Sequence, residues 1–199
     1  MKAQTIARLI SLILSPPLMV ITITGLVAYT EAESNASFVA WWLIAGLFLA
    51  ALPATVIFLG TRKGWISDLG LSQRDQRAWP LIFSIIFALA GGAVLYITGA
   101  PQLLLAVAAI NVAILFIALV VSYFWKISFH TLSVSSAAII AGLSFGGAAF
   151  LTTIFILITG WSRIHLDKHS LGEVIAGGCV GSLVPLISLP IIRIERLFA

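Results

Sequence analysis

Six apolar runs, each about as long as a bilayer crossing, constrain this chain more than any other feature. They occupy residues 9–29, 38–60, 81–98, 102–124, 132–159 and 171–192. A helix needs about 20 apolar residues to cross a hydrocarbon core. Charged residues make up 9% of the chain, where a soluble domain carries about 25%. So few charges cannot coat a water-facing surface, and the outer surface must face lipid. The expected fold is therefore all-α: a polytopic membrane helical bundle of six or seven transmembrane helices, forming one domain over residues 1–199. No repeat, linker or low-complexity segment divides it.

The breaks between runs set the topology. Trp41 and Trp42 open the second run as an interfacial belt. Residues 61–78 are the longest polar stretch, with Arg62, Lys63, Asp68, Arg74, Asp75 and Arg77, and Pro80 follows where a helix can begin. Gly99, Ala100 and Pro101 spell a tight turn. The run at 132–159 holds 28 residues without a charge. Gly146 and Gly147 at its middle favour two short helices over one tilted one, as a turn or a close helix contact. Loops 61–78, 125–130 and 161–169 are separated by helix pairs, so they share one membrane face, where the unusual polar residues converge.

The formal charge of +4 does not point to nucleic acid. The bases sit in short loops between apolar runs, which suits phosphate headgroups and topology signals. Cys179 is the only cysteine and is expected to be a small buried packing residue. Lys2 and Arg8 ahead of an apolar run resemble a signal peptide. Pro16, Pro17 and the lack of a clear small-residue cleavage site instead predict a retained first helix over residues 9–29.

Two clusters carry chemistry. In the first, Arg163 offers a planar donor fork suited to phosphate oxygens. His169 and Glu173 lie four apart, on one face of the last helix. A carboxylate one turn from an imidazole takes the proton on one ring nitrogen and leaves the other free as a nucleophile. Ionisable groups inside an apolar span are costly and usually functional. In the second cluster Lys126 and His130 are also four apart, with Ser128 between them. Lys126 can hold phosphate charge, His130 can protonate a leaving oxygen, and Ser128 can donate to a phosphate oxygen.

These residues resemble the type 2 phosphatidic acid phosphatase superfamily of membrane lipid phosphatases. The third motif of that family is Ser-Arg, five residues, His, three residues, Asp. Here Ser162-Arg163, His169 and Glu173 keep the spacing, with Glu for Asp, and Val174-Ile175-Ala176-Gly177 is similar to the continuation. The second motif, Pro-Ser-Gly-His, is matched at Ser128 and His130. Lys126-Ile127-Ser128-Phe129-His130 looks like the pattern of a bacterial subgroup. The first motif, Lys, six residues, Arg-Pro, is absent as such. Its nearest candidates are Arg74 and Arg77, with Pro80 displaced. The resemblance spans residues 61–181.

The resemblance implies a metal-independent hydrolase without cofactor, most simply in a bacterial inner membrane. His169 attacks phosphorus, Glu173 polarises it, and His130 protonates the leaving group. Arg163, Ser162, Ser128, Lys126 and one of Arg74 or Arg77 hold the phosphate. The substrate is a lipid phosphomonoester or diphosphate, with phosphatidic acid, phosphatidylglycerol phosphate and polyprenyl diphosphates all open. Three other readings exist. His165, His169 and Glu173 at four-residue steps have the donor set of a zinc site. A transporter would usually distribute polar residues through several spans. An inactive membrane scaffold would suit the degraded first and second motifs. Lys168 reads as a loop charge. Lys2, Arg8, Arg62 and Lys63 favour a cytoplasmic active face, whereas the family commonly faces the exterior.

Overall fold

A computed structural model describes residues 2–147 and 152–195, and every regular element among them is helical. In order these are α1 (Lys2–Ile13), α2 (Pro16–Glu31), α3 (Asn35–Ala45), a π-helical segment (Gly46–Ala51), α4 (Leu52–Arg62), α5 (Ala78–Ile97), α6 (Gln102–Phe124), α7 (Phe129–Phe145), α8 (Ile154–His165) and α9 (Leu171–Glu195). Four helical stretches are long and apolar enough to cross a membrane: Asn35–Arg62, Ala78–Ile97, Gln102–Phe124 and Leu171–Ile191. The bent pair α1–α2 makes a fifth if it counts as one span. At 17 and 12 residues α7 and α8 are shorter than a full crossing. Large apolar side chains such as Leu43, Ile86, Phe116 and Leu183 are exposed on the long helices, as expected of surfaces that meet lipid.

Two runs divide where proline and glycine stand. The first is not the single helix expected over 9–29. It is two helices bent by 46°, because Pro16 and Pro17 lack the N–H that would continue α1 and the Pro16 ring would collide with the carbonyl four residues back. Proline is instead accepted in a first turn, and α2 starts there. The run at 132–159 forms α7 and α8. Gly146 ends α7 with φ 91°, a conformation glycine adopts without steric cost; the residues 148–151 that follow lie outside the described set.

The chain forms two compact units, one from residues 1–19 and 127–199 and one from residues 20–126. The first is organised by close contact of α7 with α9. A side chain at Gly177 would meet the Ser128 carbonyl oxygen and the Thr131 Oγ1, and one at Gly181 would meet the Leu132 carbonyl oxygen. Four-residue spacing puts both glycines on one face of α9 and lets the backbones approach. Polar bonds cross the same contact. Thr131 Oγ1 donates to the Val174 carbonyl at 3.1 Å, and the Ser128 N–H donates to the Glu173 carbonyl at 3.1 Å. Ser128 also caps α7, its Oγ accepting from the Thr131 N–H at 3.4 Å. Helix α1 lies along α8, where Ser162 Oγ donates to the Ala7 carbonyl at 2.7 Å.

The second unit carries the long Asn35–Arg62 span. Its π segment ends just before Pro53. A proline ring crowds the carbonyl four residues earlier, here Leu49, and local widening relieves that clash. Trp42 Nε1 donates to the Ile21 carbonyl at 3.0 Å, over Gly25, where a Cβ would come within 2.7 Å of the indole nitrogen. The expected turn after α5 is present. Gly99 takes φ 72°, and the Ala100 N–H closes on the Leu95 carbonyl at 2.9 Å. In the loop before α5, Arg77 is 0% exposed and its Nε donates to the Leu71 carbonyl at 2.9 Å.

The α7–α9 contact yields a stability prediction. Gly181→Ala forces a Cβ against backbone, and overpacking of this kind costs roughly 1–3 kcal/mol. The thermal midpoint of the purified protein in detergent should fall by several degrees. Gly92→Ala, with nothing within 4 Å of its Cβ, should leave the midpoint unchanged or raise it, since alanine favours helix.

Candidate active site at the α8–α9 turn

The separation of Arg163 from His169 is set by the way α8 ends. The Asp167 N–H donates to the Ile164 carbonyl at 3.0 Å, and the Lys168 N–H to the Arg163 carbonyl at 3.1 Å. This pair of bonds is a Schellman closure. Its left-handed residue is Asp167, at φ 52°, and aspartate tolerates that region better than most residues. The chain reverses, and the His169 N–H also reaches the Arg163 carbonyl, at 3.3 Å. Arginine and histidine are thereby brought back to the same helix end.

A capping box then starts α9. The Glu173 N–H donates to Ser170 Oγ at 3.4 Å, and Glu173 Oε2 accepts from the Ser170 N–H at 3.3 Å. The same carboxylate oxygen lies 2.7 Å from His169 Nδ1. The two side chains are 3% and 16% exposed. A carboxylate only accepts, so Nδ1 is the donor in this bond, and in the neutral ring the Nε2 lone pair is left for other chemistry. The favourable end of the α9 dipole supports the carboxylate in that position.

Arg163, 5% exposed, lies in the last turn of α8. One terminal nitrogen donates to Ser11 Oγ at 2.6 Å. His130 stands in the first turn of α7, ahead of the apolar run that begins at Leu132. Its ring keeps some surface but is packed round by protein atoms, and this loss of water is the main cause that lowers its pKa from 6.5 to about 3. Positive charge on Arg163, and on His169 whenever that ring is protonated, pushes the same way, and a hydrogen bond with the Ser11 main chain pushes back. His130, Arg163 and His169 are therefore close enough to act on one another electrostatically. Without an anion, His130 is neutral near pH 7.

Other residues singled out in the sequence have different surroundings. Ser162 is buried and spends its proton on the Ala7 carbonyl. Ser128 is buried as the α7 cap. Arg74 and Arg77 belong to the second unit. Arg74 donates to the Phe124 carbonyl at 2.9 Å, where a cation suits the C-terminal end of α6, and Arg77 holds its own loop. Lys126 is half-buried at the sequence boundary of that unit. His165 stacks on Trp161 with ring centroids 5.1 Å apart, and among the described residues no three His, Cys, Asp or Glu side chains gather as a metal site.

Sequence reasoning missed Ser170, Ala7 and Ser11. Ser170 was legible, since Ser-x-x-Glu ahead of an apolar run signals a helix start. Ala7 and Ser11 offered only a pair of small residues at helical spacing. Compared with known protein families, with characterised proteins and with solved structures, the chain matches none.

The lowered pKa of His130 has a definite linkage sign. The unfolded chain binds its proton near pH 6.5 and the folded one only near pH 3, so the unfolded state holds more protons between those values. The contribution of His130 to stability is fully present above about pH 6.5 and is lost as pH falls toward 3. The thermal midpoint in detergent should drop between pH 7 and pH 4.5, and His130→Gln should make that drop smaller. An equal drop in both proteins would remove the assignment.

Proposed function

We propose that this chain is a membrane-embedded lipid phosphatase that works through a phosphohistidine, without metal or cofactor. One observation carries the reading: a His169–Glu173 pair at 2.7 Å beside the buried Arg163, with His130 in electrostatic range of both cation and nucleophile. The resemblance of Ser162-Arg163, His169 and Glu173 to the phosphatase motif points the same way. The substrate is a phosphomonoester or diphosphate of a lipid such as phosphatidic acid, phosphatidylglycerol phosphate or a polyprenol. The Lys126–His130 pattern favours a bacterial inner membrane. Counting α7 alone, or α7 and α8, as crossings gives six or seven spans.

The chemistry follows from the atoms available. His169 Nε2 attacks phosphorus as the bond from phosphorus to the lipid oxygen breaks. The leaving oxygen takes the proton of His130. Water then attacks the phosphohistidine, His130 accepts its proton, and the phosphorus–nitrogen bond breaks to release phosphate. Arg163 holds the phosphoryl oxygens, whose charge it meets with a fixed donor fork. Lys126, four residues before His130, is the second cation in this reading. Ser128, Ser162, Arg74 and Arg77 act through the fold, by the carbonyls and amides they satisfy.

His130 must be charged to act as an acid, yet the empty site keeps it neutral. A phosphate dianion beside Arg163 reverses the local field and favours the imidazolium. Binding should therefore take up a proton. Calorimetry of orthovanadate binding near pH 7 in buffers of different ionisation enthalpy should show that uptake, and His130→Gln should abolish it.

Activity decides the reading. Purified protein should release phosphate from a panel of lipid phosphates and keep doing so in excess chelator. Orthovanadate should inhibit, because its five-coordinate form mimics the transition state. His169→Ala should eliminate turnover and the trapped phosphoenzyme together, and Glu173→Gln should slow turnover on the order of 100-fold. Near-normal turnover by His169→Ala, or no phosphohistidine on any slow substrate, would end the mechanism. Loss of activity on chelation, restored by zinc, would favour a metal site, and no turnover at all a scaffold.

A further inference from the structure

Helix α1 reaches the site at two points. The Ala7 carbonyl accepts from Ser162. Ser11 Oγ accepts from Arg163 at 2.6 Å. Ala7 and Ser11 are the two buried residues of α1, whereas Ile6, Leu9, Leu12 and Ile13 are exposed. The polar contacts to this helix therefore come from its narrow small-residue face. Arginine has four rotatable side-chain bonds, and an unheld guanidinium samples many orientations before it can meet an anion. A charge-assisted bond at 2.6 Å removes much of that freedom in advance.

We propose that Ser11 is a positioning residue of the phosphate site: its hydroxyl fixes the Arg163 guanidinium, so one residue of α1 aims that fork at the phosphoryl oxygens. This deepens the phosphatase reading and rests on it for the identity of the ligand. Ser11 itself touches no reacting atom. It acts through Arg163, and its hydroxyl affects ground-state and transition-state binding of the phosphoryl group alike. Loss of such uniform binding raises KM and leaves kcat little changed.

The test compares wild type, Ser11→Ala and Ser11→Thr as full chains in detergent. Alanine is the better helix former, so Ser11→Ala should keep the fold, and a single cooperative thermal transition checks this. Orthovanadate binding is measured by calorimetry, independently of turnover. Ser11→Ala should bind orthovanadate roughly tenfold more weakly, in line with loss of a hydrogen bond to a charged group. It should raise KM by a similar factor with kcat within about threefold, and Ser11→Thr should restore both. Unchanged vanadate affinity in Ser11→Ala would overturn the proposal, whatever turnover does. Weakened affinity rescued by threonine, in a protein that hydrolyses no lipid phosphate, would uphold Ser11 as an anion-site residue and sink the phosphatase reading. A wild type that binds no vanadate would overturn both.

Discussion

The last C=O groups of a helix have no partner within the helix, and a tight main-chain closure can supply one. This requirement shapes the molecule. α4, α5 and α8 all end in the same pair of main-chain bonds, with a left-handed residue at the reversal. At α4 and α5 that residue is Gly64 or Gly99. At α8 it is Asp167. The closure at α8 and the capping box at α9 together define the distance from Arg163 to His169 and Glu173. The spacing of the motif is thus the length of one helix closure plus one helix start. The groups that would do chemistry are those that a turn of this kind delivers to one place.

Precision comes from what lies beneath the turn. Gly177 and Gly181 let α9 approach α7 until their backbones touch, and the Ser128 N–H ties the start of α7 to the Glu173 carbonyl. His130, two residues past Ser128, is therefore referenced to the same helix end as His169. A catalytic constellation must be held to about 0.5 Å. Main-chain bonds between two helices in close contact provide a stiffer reference than side chains in a loop. The polar cluster depends on this packing although no glycine belongs to it.

Most helices could be read from hydropathy, because an apolar run bounded by charge has few other outcomes. The runs at 38–60, 81–98 and 102–124 each became helix with ends shifted by a few residues. The His169–Glu173 pair was expected from four-residue spacing on one helix face, but His169 precedes α9, which begins at Leu171, so the pair is made by the chain reversal and the Ser170 capping box instead. The first run was misread where Pro16 and Pro17 stand, since proline signals both a break and a restart. What could not be read was tertiary. Arg77 was expected, with Arg74, to offer a phosphate-binding cation, but burial places it inside its own loop. Ser11 drew no attention among Ile and Leu. Its role depends on a residue 152 positions away, and no local pattern encodes such a pairing. Ser128 and Ser162 were expected to hold phosphate, while their protein partners are main-chain groups.

The bonds from Arg163 to Ser11 and from Ser162 to Ala7 join residues 152 and 155 positions apart, which has a consequence for biogenesis. Ribosomes extend chains at about 5–20 residues per second, so α1 emerges on the order of ten seconds before its partner on α8. During that interval its small polar face has nothing to bond and must rest against headgroups or water. The buried arginine likewise meets its serine only after both ends of this stretch exist. Assembly of the polar cluster is then a late event in membrane insertion, and a chain stalled before α8 would carry a helix α1 with no place to dock.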